Sequence, residues 1–147
     1  MSCPYTLDNY CPEESIGYLL KRVGALLTLT LDRRLQPFEM THAQLGIFLK
    51  LLHGNANTAA DLARELSTDA GAMTRMLDRL EEKGFVERTR SCADRRVIQV
   101  TLTEKGLQVA DQMKQVVIEG LNHHLQGFSE QEIEQFKDFL RRMIANA

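Results

Sequence analysis

The spacing of apolar residues changes from helical to alternating in the middle of the chain, between residues 58 and 102. Two segments with apolar residues at helical spacing come first and predict two helices. The polar run Ser67-Thr68-Asp69 between them can cap the second helix. Gly84 can supply the left-handed residue that ends this helix. Alternating apolar residues at 85–90 and 97–102 then predict two strands joined by a polar loop. The order helix, turn, helix and hairpin is that of a winged helix-turn-helix.

The second helix of this series, predicted over residues 70–83 and called the reader helix, has an outer face suited to double-stranded DNA. Small residues in its first turn allow close approach to base edges, and the free amides of a helix N-terminus attract phosphate. A helix in this position of the motif enters a major groove. The residues predicted to contact DNA here are Thr68, Ala70, Gly71, Thr74 and Arg75.

Arginines are concentrated in the predicted hairpin, residues 85–102, which we call the wing. Four of them lie there against two acidic residues, and all four are predicted to contact DNA: Arg88, Arg90, Arg95 and Arg96. An arginine at a hairpin tip can enter a minor groove, where negative potential is concentrated. An ordinary solvated hairpin would carry similar charge, but the helix-turn-helix directly before it favours DNA contact.

Several short motifs in this region form a specific combination. They are Met73-Thr74-Arg75, Leu80-Glu81-Glu82-Lys83-Gly84-Phe85-Val86, Asp94-Arg95-Arg96 and Leu102-Thr103-Glu104-Lys105-Gly106. With them the chain, from about Ser15 onward, resembles the multiple-antibiotic-resistance regulator (MarR) family of bacterial transcription factors. The resemblance implies a homodimeric regulator, expected to be a repressor, that binds a pseudo-palindromic operator. In many members of the family a small molecule or an oxidant releases the DNA.

The resemblance also implies roles for individual residues by position. Arg75 would touch DNA from the reader helix, and Arg95 would enter the minor groove from the wing tip. Asp94 would brace one of these arginines through a salt bridge. A guanidinium that is fixed before binding loses less rotamer entropy when it meets DNA.

The predicted fold is mostly α-helical with a small β wing, and residues 1–147 form a single domain. Residues 41–102 would be the DNA-binding lobe. The helices at 12–36 and 104–147 would form a dimerisation base, because their apolar faces are wider than a winged-helix core of this size can cover. One continuous helix from Glu104 to about Gln126 is expected to connect the wing to the base. A monomeric bundle, in which the two ends of the chain cover each other, is the alternative.

An effector site is predicted between the base and the lobe, where members of the family commonly bind their effectors. In this chain Arg22 and His42 could meet a carboxylate, while Met40, Phe48 and Met113 could pack against an aromatic ring. These residues, with the resemblance, favour a small aromatic or phenolic acid as the effector. The alternative for His42 is an ordinary surface histidine.

The three cysteines, Cys3, Cys11 and Cys92, leave oxidant sensing open as an alternative. One branch of the family senses hydroperoxides through a cysteine near the start of the first helix, close to where Cys11 lies. Cys92 lies between Arg90 and Arg95, which could increase the reactivity of its thiol. Its oxidation at the wing would disturb DNA contact directly.

Composition and motifs argue against several other classes of function. The net charge of −2 excludes a binder that relies on overall positive charge, although a locally positive face is compatible with it. No Gly-rich phosphate loop, paired metal motif or nucleophile with a base at a known spacing is present, so neither an enzyme nor a cofactor is expected. The adjacent His123-His124 would point about 100° apart on a helix, which predicts no metal site.

The sequence also indicates where the protein is located in the cell and which other class of function is possible. Residues 1–10 lack a basic start and an apolar run, and no apolar stretch reaches the ~20 residues that span a membrane. We therefore expect a cytoplasmic protein without a membrane partner. The rival function from another class is a winged helix that binds protein and not DNA.

Overall fold

The computed structural model describes residues 4–54 and 56–147. Within these ranges the chain forms seven α-helices and one antiparallel pair of strands, so the predicted mostly α fold with a small β wing is confirmed. The elements are α1 (Ile16–Leu35), α2 (His42–Leu52), α3 (Ala59–Glu65), α4 (Ala70–Glu82), β1 (Val86–Arg90), β2 (Ile98–Leu102), α5 (Glu104–Gln108), α6 (Ala110–His124) and α7 (Glu130–Ala145). None of the helices described combines the length and the apolar character needed to cross a membrane.

Side-chain caps set the starts of the helices where the sequence predicts them. The Thr58 hydroxyl and the Asp69 carboxylate each accept a hydrogen bond from the backbone N–H three residues on, at the starts of α3 and α4. Thr41 and Ser129 form capping boxes at α2 and α7. Each cap satisfies an amide that the first helical turn leaves without a partner. Short-range chemistry therefore decides where these helices begin.

The reader helix, α4, is held by a tight turn at each end. Before it, Ser67 is left-handed with φ of 51°, and the N–H of Thr68 donates to the carbonyl of Ala63 over 2.8 Å. After it, Gly84 has φ of 75° and ends the helix as predicted. These turns fix where the reader helix begins and where it ends.

The wing is anchored along both edges of its second strand. Arg88 on β1 pairs with Val100 on β2, and Val86 and Val100 are buried. On its other edge, the N–H of Val100 donates to the carbonyl of Asn57 over 2.8 Å. The base of the wing is thus fixed to the segment that leads into α3.

One apolar core joins the helices and the wing. Its side chains come from α1, α2, α3, α4, both strands and α6. The fully buried large side chains are Phe48, Leu35, Leu45, Ile47, Leu62, Met73, Leu77, Leu80, Met113, Val86 and Val100. Because α1 and α6 contribute to it, the lobe is packed directly onto the helices that lead to the base.

The connection between wing and base is interrupted, whereas the sequence predicts one helix from Glu104 to about Gln126. Helix α5 ends at Gln108 and α6 begins at Ala110. Gly106 lies so close to the wing that a Cβ there would be 2.3 Å from the carbonyl oxygen of Phe85. Helix α5 packs on β2, while α6 packs on α1. Because the two segments pack against different neighbours, the helix is broken between them.

The helices of the predicted base leave apolar side chains exposed in the single chain. No residue of α7 is buried, and Phe139 is 47% exposed. On α1, Leu19 is 51% exposed. The described residues thus do not show the covering of one end by the other that the alternative, a monomeric bundle, would require.

Candidate nucleic-acid interface

The reader helix turns one face to the core and the other to solvent. Its buried residues are Met73, Leu77 and Leu80. Its exposed residues include four of those predicted to contact DNA: Ala70, Gly71, Thr74 and Arg75. The apolar stripe therefore decides which side chains of α4 are available to a ligand.

The side chain of Arg75 lies beside Gly71 in the first turn of α4. A Cβ on Gly71 would lie 3.5 Å from Nη1 of Arg75 and 3.3 Å from Oδ1 of Asp69. The Arg75 guanidinium thus lies back over the first turn of α4. The Thr74 hydroxyl donates to the Ala70 carbonyl over 2.9 Å, so its methyl group and oxygen lone pairs remain for a base edge.

Thr68 has a different place from the other predicted contacts. It is half-buried, and its hydroxyl donates to the carbonyl of Leu66 over 3.1 Å. The hydroxyl hydrogen is therefore used inside the turn. The structure gives Thr68 the role of fixing the start of the reader helix.

Three of the four predicted wing arginines are exposed, namely Arg90, Arg95 and Arg96. Within residues 4–54 and 56–147 none of the three forms an ion pair. The loop that carries the last two is held by its own polar groups, because the Ser91 hydroxyl accepts a hydrogen bond from the N–H of Ala93 over 3.2 Å. The wing tip therefore presents positive charge from an ordered turn.

Asp94 does not brace an arginine side chain in the described parts of the chain. Its Oδ1 accepts a hydrogen bond from the backbone N–H of Arg96 over 2.9 Å, and its carbonyl accepts one from Val97 over 3.0 Å. An aspartate one residue into a turn commonly bonds the backbone two residues on. The predicted salt bridge is therefore corrected: Asp94 shapes the wing turn and leaves Arg95 free of it.

Arg88 also differs from its prediction. Its guanidinium binds the carboxylates of Asp78 and Glu81 on α4, and its side chain is only 22% exposed. Hydrogen bonds from Arg88 hold the pKa of the Glu81 carboxyl below its ordinary value. Arg88 is consequently not part of the free positive surface of the wing. Sequence reasoning missed both carboxylates, although their spacing of three residues on one helix was a visible signal.

The reader helix and the wing border a common groove. It has a volume of about 520 Å³ and lies between α3, the first turn of α4 and the start of β2. Thr74 lies on one of its walls and Arg96 on another. Residues that are more than 20 positions apart in sequence are thereby brought to one concave surface.

The predicted effector residues do not form one pocket in the single chain. Met40, Phe48 and Met113 are 4%, 0% and 1% exposed, so they belong to the core and do not line an open cleft. The backbone N–H of His42 donates to Asp32 on α1. Arg22 precedes Asp32 by ten residues, about 15 Å along the helix. Arg22 and His42, both exposed, are therefore not adjacent within one chain.

The cysteines and histidines occupy separate places. Cys11 and Cys92 are free and exposed, and Cys3 lies outside the described residues. Nε2 of His124 is 2.8 Å from the hydroxyl of Thr30, so this histidine helps α6 to pack on α1. In the described ranges no three His, Cys, Asp or Glu side chains are grouped to hold a metal ion.

Two lysines join the end of the reader helix to its surroundings, and sequence reasoning did not single them out. Nζ of Lys83 donates to the carbonyl of Glu39, which lies between α1 and α2. Nζ of Lys105 on α5 donates to the carbonyl of Lys83 over 2.7 Å and lies over the ring of Phe85. A positive charge at the C-terminal end of a helix also favours its dipole. The end of α4 is thus tied to the helices on both sides of the lobe.

Together these features define the class of the protein. A helix with small and cationic residues on its open face, followed by an arginine-tipped wing, is the arrangement of a winged-helix DNA-binding protein.

Comparison with known proteins identifies the family. The profile of the MarR family matches residues 40–98. The multiple antibiotic resistance protein MarR of Escherichia coli (strain K12) is 32% identical over 130 residues, which cover 88% of this chain and 90% of that protein. The chain belongs to the MarR family. It is a DNA-binding transcriptional regulator and not an enzyme.

Solved structures agree with this assignment. A cysteine-to-serine mutant of Escherichia coli MarR, in complex with operator DNA, matches with a TM-score of 0.76 and 32% identity over 87% of this chain and 92% of that chain. A MarR-family regulator from Rhodococcus sp. RHA1 matches with a TM-score of 0.84 over 92% of this chain and 96% of that one. At 23% identity the second match supports the fold alone.

Proposed function

We propose that the protein is a homodimeric repressor that binds a pseudo-palindromic operator through α4 and the wing and releases it when an effector binds. The observation that carries this proposal is the open surface shared by α4 and the wing. There, Arg75, Arg90, Arg95 and Arg96 are exposed beside small first-turn residues.

In this proposal α4 occupies the major groove and the wing tip follows the adjacent minor groove. Arg75 and Thr74 would contact base edges, since an arginine fork fits guanine and a threonine methyl fits thymine. Arg95, at the tip of an ordered turn, would enter the minor groove, with Arg90 and Arg96 on neighbouring phosphates. Gly71 and Ala70 would let the backbone approach the DNA closely.

The exposed apolar faces support the homodimer. On α1 they comprise Ile16, Leu19, Leu20, Val23, Leu26 and Leu29, and on α7 they comprise Phe136, Phe139, Met143 and Ile144. Contiguous apolar surface of this kind marks an interface in a folded protein. A two-fold axis through these helices would also supply the second reader that a palindromic site requires.

We accordingly propose a division of the single domain, residues 1–147, into two functional parts. Residues 41–102 would bind DNA, and residues 12–36 and 104–147 would hold the two chains together. Four exposed acidic residues of α7, Glu130, Glu132, Glu134 and Asp138, lie outside the proposed reading face, although Lys137, Arg141 and Arg142 on the same helix offset three of these four charges. A net charge of −2 for the whole chain is compatible with a locally positive reading face.

The effector that we propose is a small aromatic or phenolic acid. Arg22 and His42 are exposed and remain candidate partners for its carboxylate, each as a separate contact. A pocket assembled between two subunits could provide the apolar walls that Met40, Phe48 and Met113 do not provide. Its occupation would change the spacing of the two reader helices, and operator half-sites tolerate little change in spacing.

Oxidant control is the second candidate mechanism, and the exposure of both described thiols favours it. Cys92 lies on the wing loop, two residues before Asp94, and Cys11 lies just before α1. Oxidation of Cys92 would add polar or bulky groups where the wing meets DNA. Either thiol is open to peroxide from solvent.

A DNA titration distinguishes these candidates. A duplex selected from a random library is labelled and titrated at two salt concentrations, first alone, then with salicylate and then with a hydroperoxide. Sequence-dependent binding with a steep salt dependence is the expected result. Release by salicylate alone supports the acid effector, and release by peroxide that a thiol reverses supports the cysteines. Equal, weak binding to every duplex would contradict the operator and favour a protein partner.

A further inference from the structure

Arg88 connects the wing to the reader helix through four hydrogen bonds. Its Nε and Nη2 donate to Oε2 of Glu81 over 3.1 and 2.6 Å, and Nη2 also donates to Oδ1 of Asp78 over 2.6 Å. The backbone N–H of Arg88 donates to the other Glu81 oxygen, Oε1, over 3.1 Å. We call these three residues the Arg88 cluster. Both the side chain and the main chain of β1 are thereby tied to α4.

The two carboxylates lie on the side of α4 that is proposed to face DNA. Asp78 and Glu81 follow Thr74 by four and seven residues, which places all three on one face of the helix. Unpaired carboxylates on this face would repel phosphates. The Arg88 guanidinium offsets one of these two negative charges, and its hydrogen bonds lower the pKa of the Glu81 carboxyl.

The geometry of the Arg88 cluster restricts the orientation of β1 relative to α4. Only Lys83, Gly84 and Phe85 link α4 to β1, so the chain between the two elements is short but includes the left-handed glycine. A single exposed ion pair contributes little to stability. A guanidinium that grips two carboxylates, with a backbone bond to one of them, is more directional and is further restricted by its low exposure.

We propose that Arg88 is a positioning residue: with Asp78 and Glu81 it sets the angle between reader helix and wing, so that Arg95 reaches the minor groove while α4 occupies the major groove. Arg88 would contact no DNA itself. This inference rests on the proposed wing contact and adds to it the device that orients the wing.

The decisive variant is the double substitution Asp78→Asn with Glu81→Gln. It preserves the shapes of both side chains, removes two negative charges from the DNA side and releases a positive guanidinium. If Arg88 were an ordinary DNA contact, operator binding would become tighter. The positioning role predicts the opposite sign, a loss of about fivefold or more, which is the lower end of what a lost arginine contact costs.

Two variants control for charge. Glu82→Gln removes a negative charge from an exposed residue of the same helix that forms no ion pair within the described ranges, and it should leave binding unchanged or slightly tighter. Arg88→Lys retains the charge but loses the planar fork that reaches two carboxylates at once. A lysine would still satisfy a phosphate, so a DNA contact predicts near-normal affinity for Arg88→Lys, whereas positioning predicts a loss.

Affinities are measured by fluorescence anisotropy on the selected duplex and on one trimmed to remove the flanking base pairs under the wings. Gel filtration and thermal melting check that the variants fold and assemble as the parent does. We expect the penalty of the Asp78→Asn, Glu81→Gln variant on the full duplex and little or none on the trimmed one. Tighter binding, or an equal penalty on both duplexes, overturns the positioning role.

The same data separate this inference from the wing contact on which it rests. If Arg95→Ala weakens binding to the full duplex but the double variant does not, only the positioning role fails. If Arg95→Ala has no effect on either duplex, the wing contact fails, and the positioning role fails with it.

Discussion

The proposed DNA-binding lobe and the proposed dimerisation base place aromatic side chains in opposite surroundings. In the lobe, Phe48 is completely buried and packs edge-on against Phe85. In the base, Phe139 is 47% exposed on a helix that buries none of its residues. The lobe buries its apolar side chains within one chain, whereas α7 leaves its apolar side chains exposed. In the proposed homodimer the reading surface would therefore stay rigid, and the spacing of the two reading surfaces would depend on an interface.

The largest effect is expected from the lobe core. Phe48→Ala should lower the free energy of unfolding by about 3–5 kcal/mol, because a large cavity forms where the surroundings cannot collapse. Denaturant titration measures the change, and Phe48→Leu is the matched control with a much smaller cavity. A loss below about 1 kcal/mol for the alanine variant would contradict a self-sufficient lobe.

The next largest effect is expected at the base. Phe139→Asp should leave the lobe folded but raise the dimer dissociation constant about 30-fold or more, because an interface aromatic is replaced by a charge. Analytical ultracentrifugation over a range of concentrations measures it. Arg141→Gln makes the chain more negative by the same single charge and is the control. A dimer that withstands Phe139→Asp would remove α7 from the interface.

A smaller change is expected when a wing arginine is removed. Arg95→Ala should weaken operator binding by about 1–3 kcal/mol and lower the salt dependence by about one charge, with dimer and fold intact. Arg141→Gln, which also removes one positive charge but from the base, should leave operator affinity unaltered. Equal effects of the two variants would mean that overall charge matters and the wing does not.

The smallest effect concerns Glu81 and pH. Arg88 lowers the pKa of the Glu81 carboxyl in the folded chain. The stability that this bond contributes is therefore complete above the ordinary glutamate value of about 4.5 and disappears as pH falls through the lowered pKa. Glu81→Gln should differ from the parent by up to about 1 kcal/mol at neutral pH.

Thermal melting from pH 7 to pH 3 follows this difference, which should shrink on acidification. For Glu82→Gln, at the next position of the helix, the difference in stability from the parent should not shrink in the same way. A difference between Glu81→Gln and the parent that stays constant over this range would mean that the ion pair does not contribute to it.

The elements of the lobe were predictable because their signals are local. Thr58, Asp69 and Gly84 act on backbone groups within a few residues, so their caps and turn follow from sequence spacing alone. The open face of α4 was predictable for a similar reason, since helical periodicity places Met73, Leu77 and Leu80 opposite the polar residues. The exposed arginines at 90, 95 and 96 follow from the hairpin pattern.

The errors concern contacts between elements. Met40, Phe48 and Met113 have the composition of a ligand pocket, but apolar residues suit a core equally well, and packing places them there. The break between α5 and α6 accompanies their packing against different neighbours, β2 and α1, which helical periodicity does not reveal.

The sequence by itself determined the order of the helices and the wing, the ends of the reader helix and the family to which the chain belongs. These depend on hydrogen bonds and periodicities that span a few residues. Only the tertiary structure decided that Arg88 binds Asp78 and Glu81, that Asp94 bonds the wing backbone, and that α7 remains uncovered. Such contacts join elements that are distant in sequence, so they depend on how whole elements pack against one another and not on any one segment.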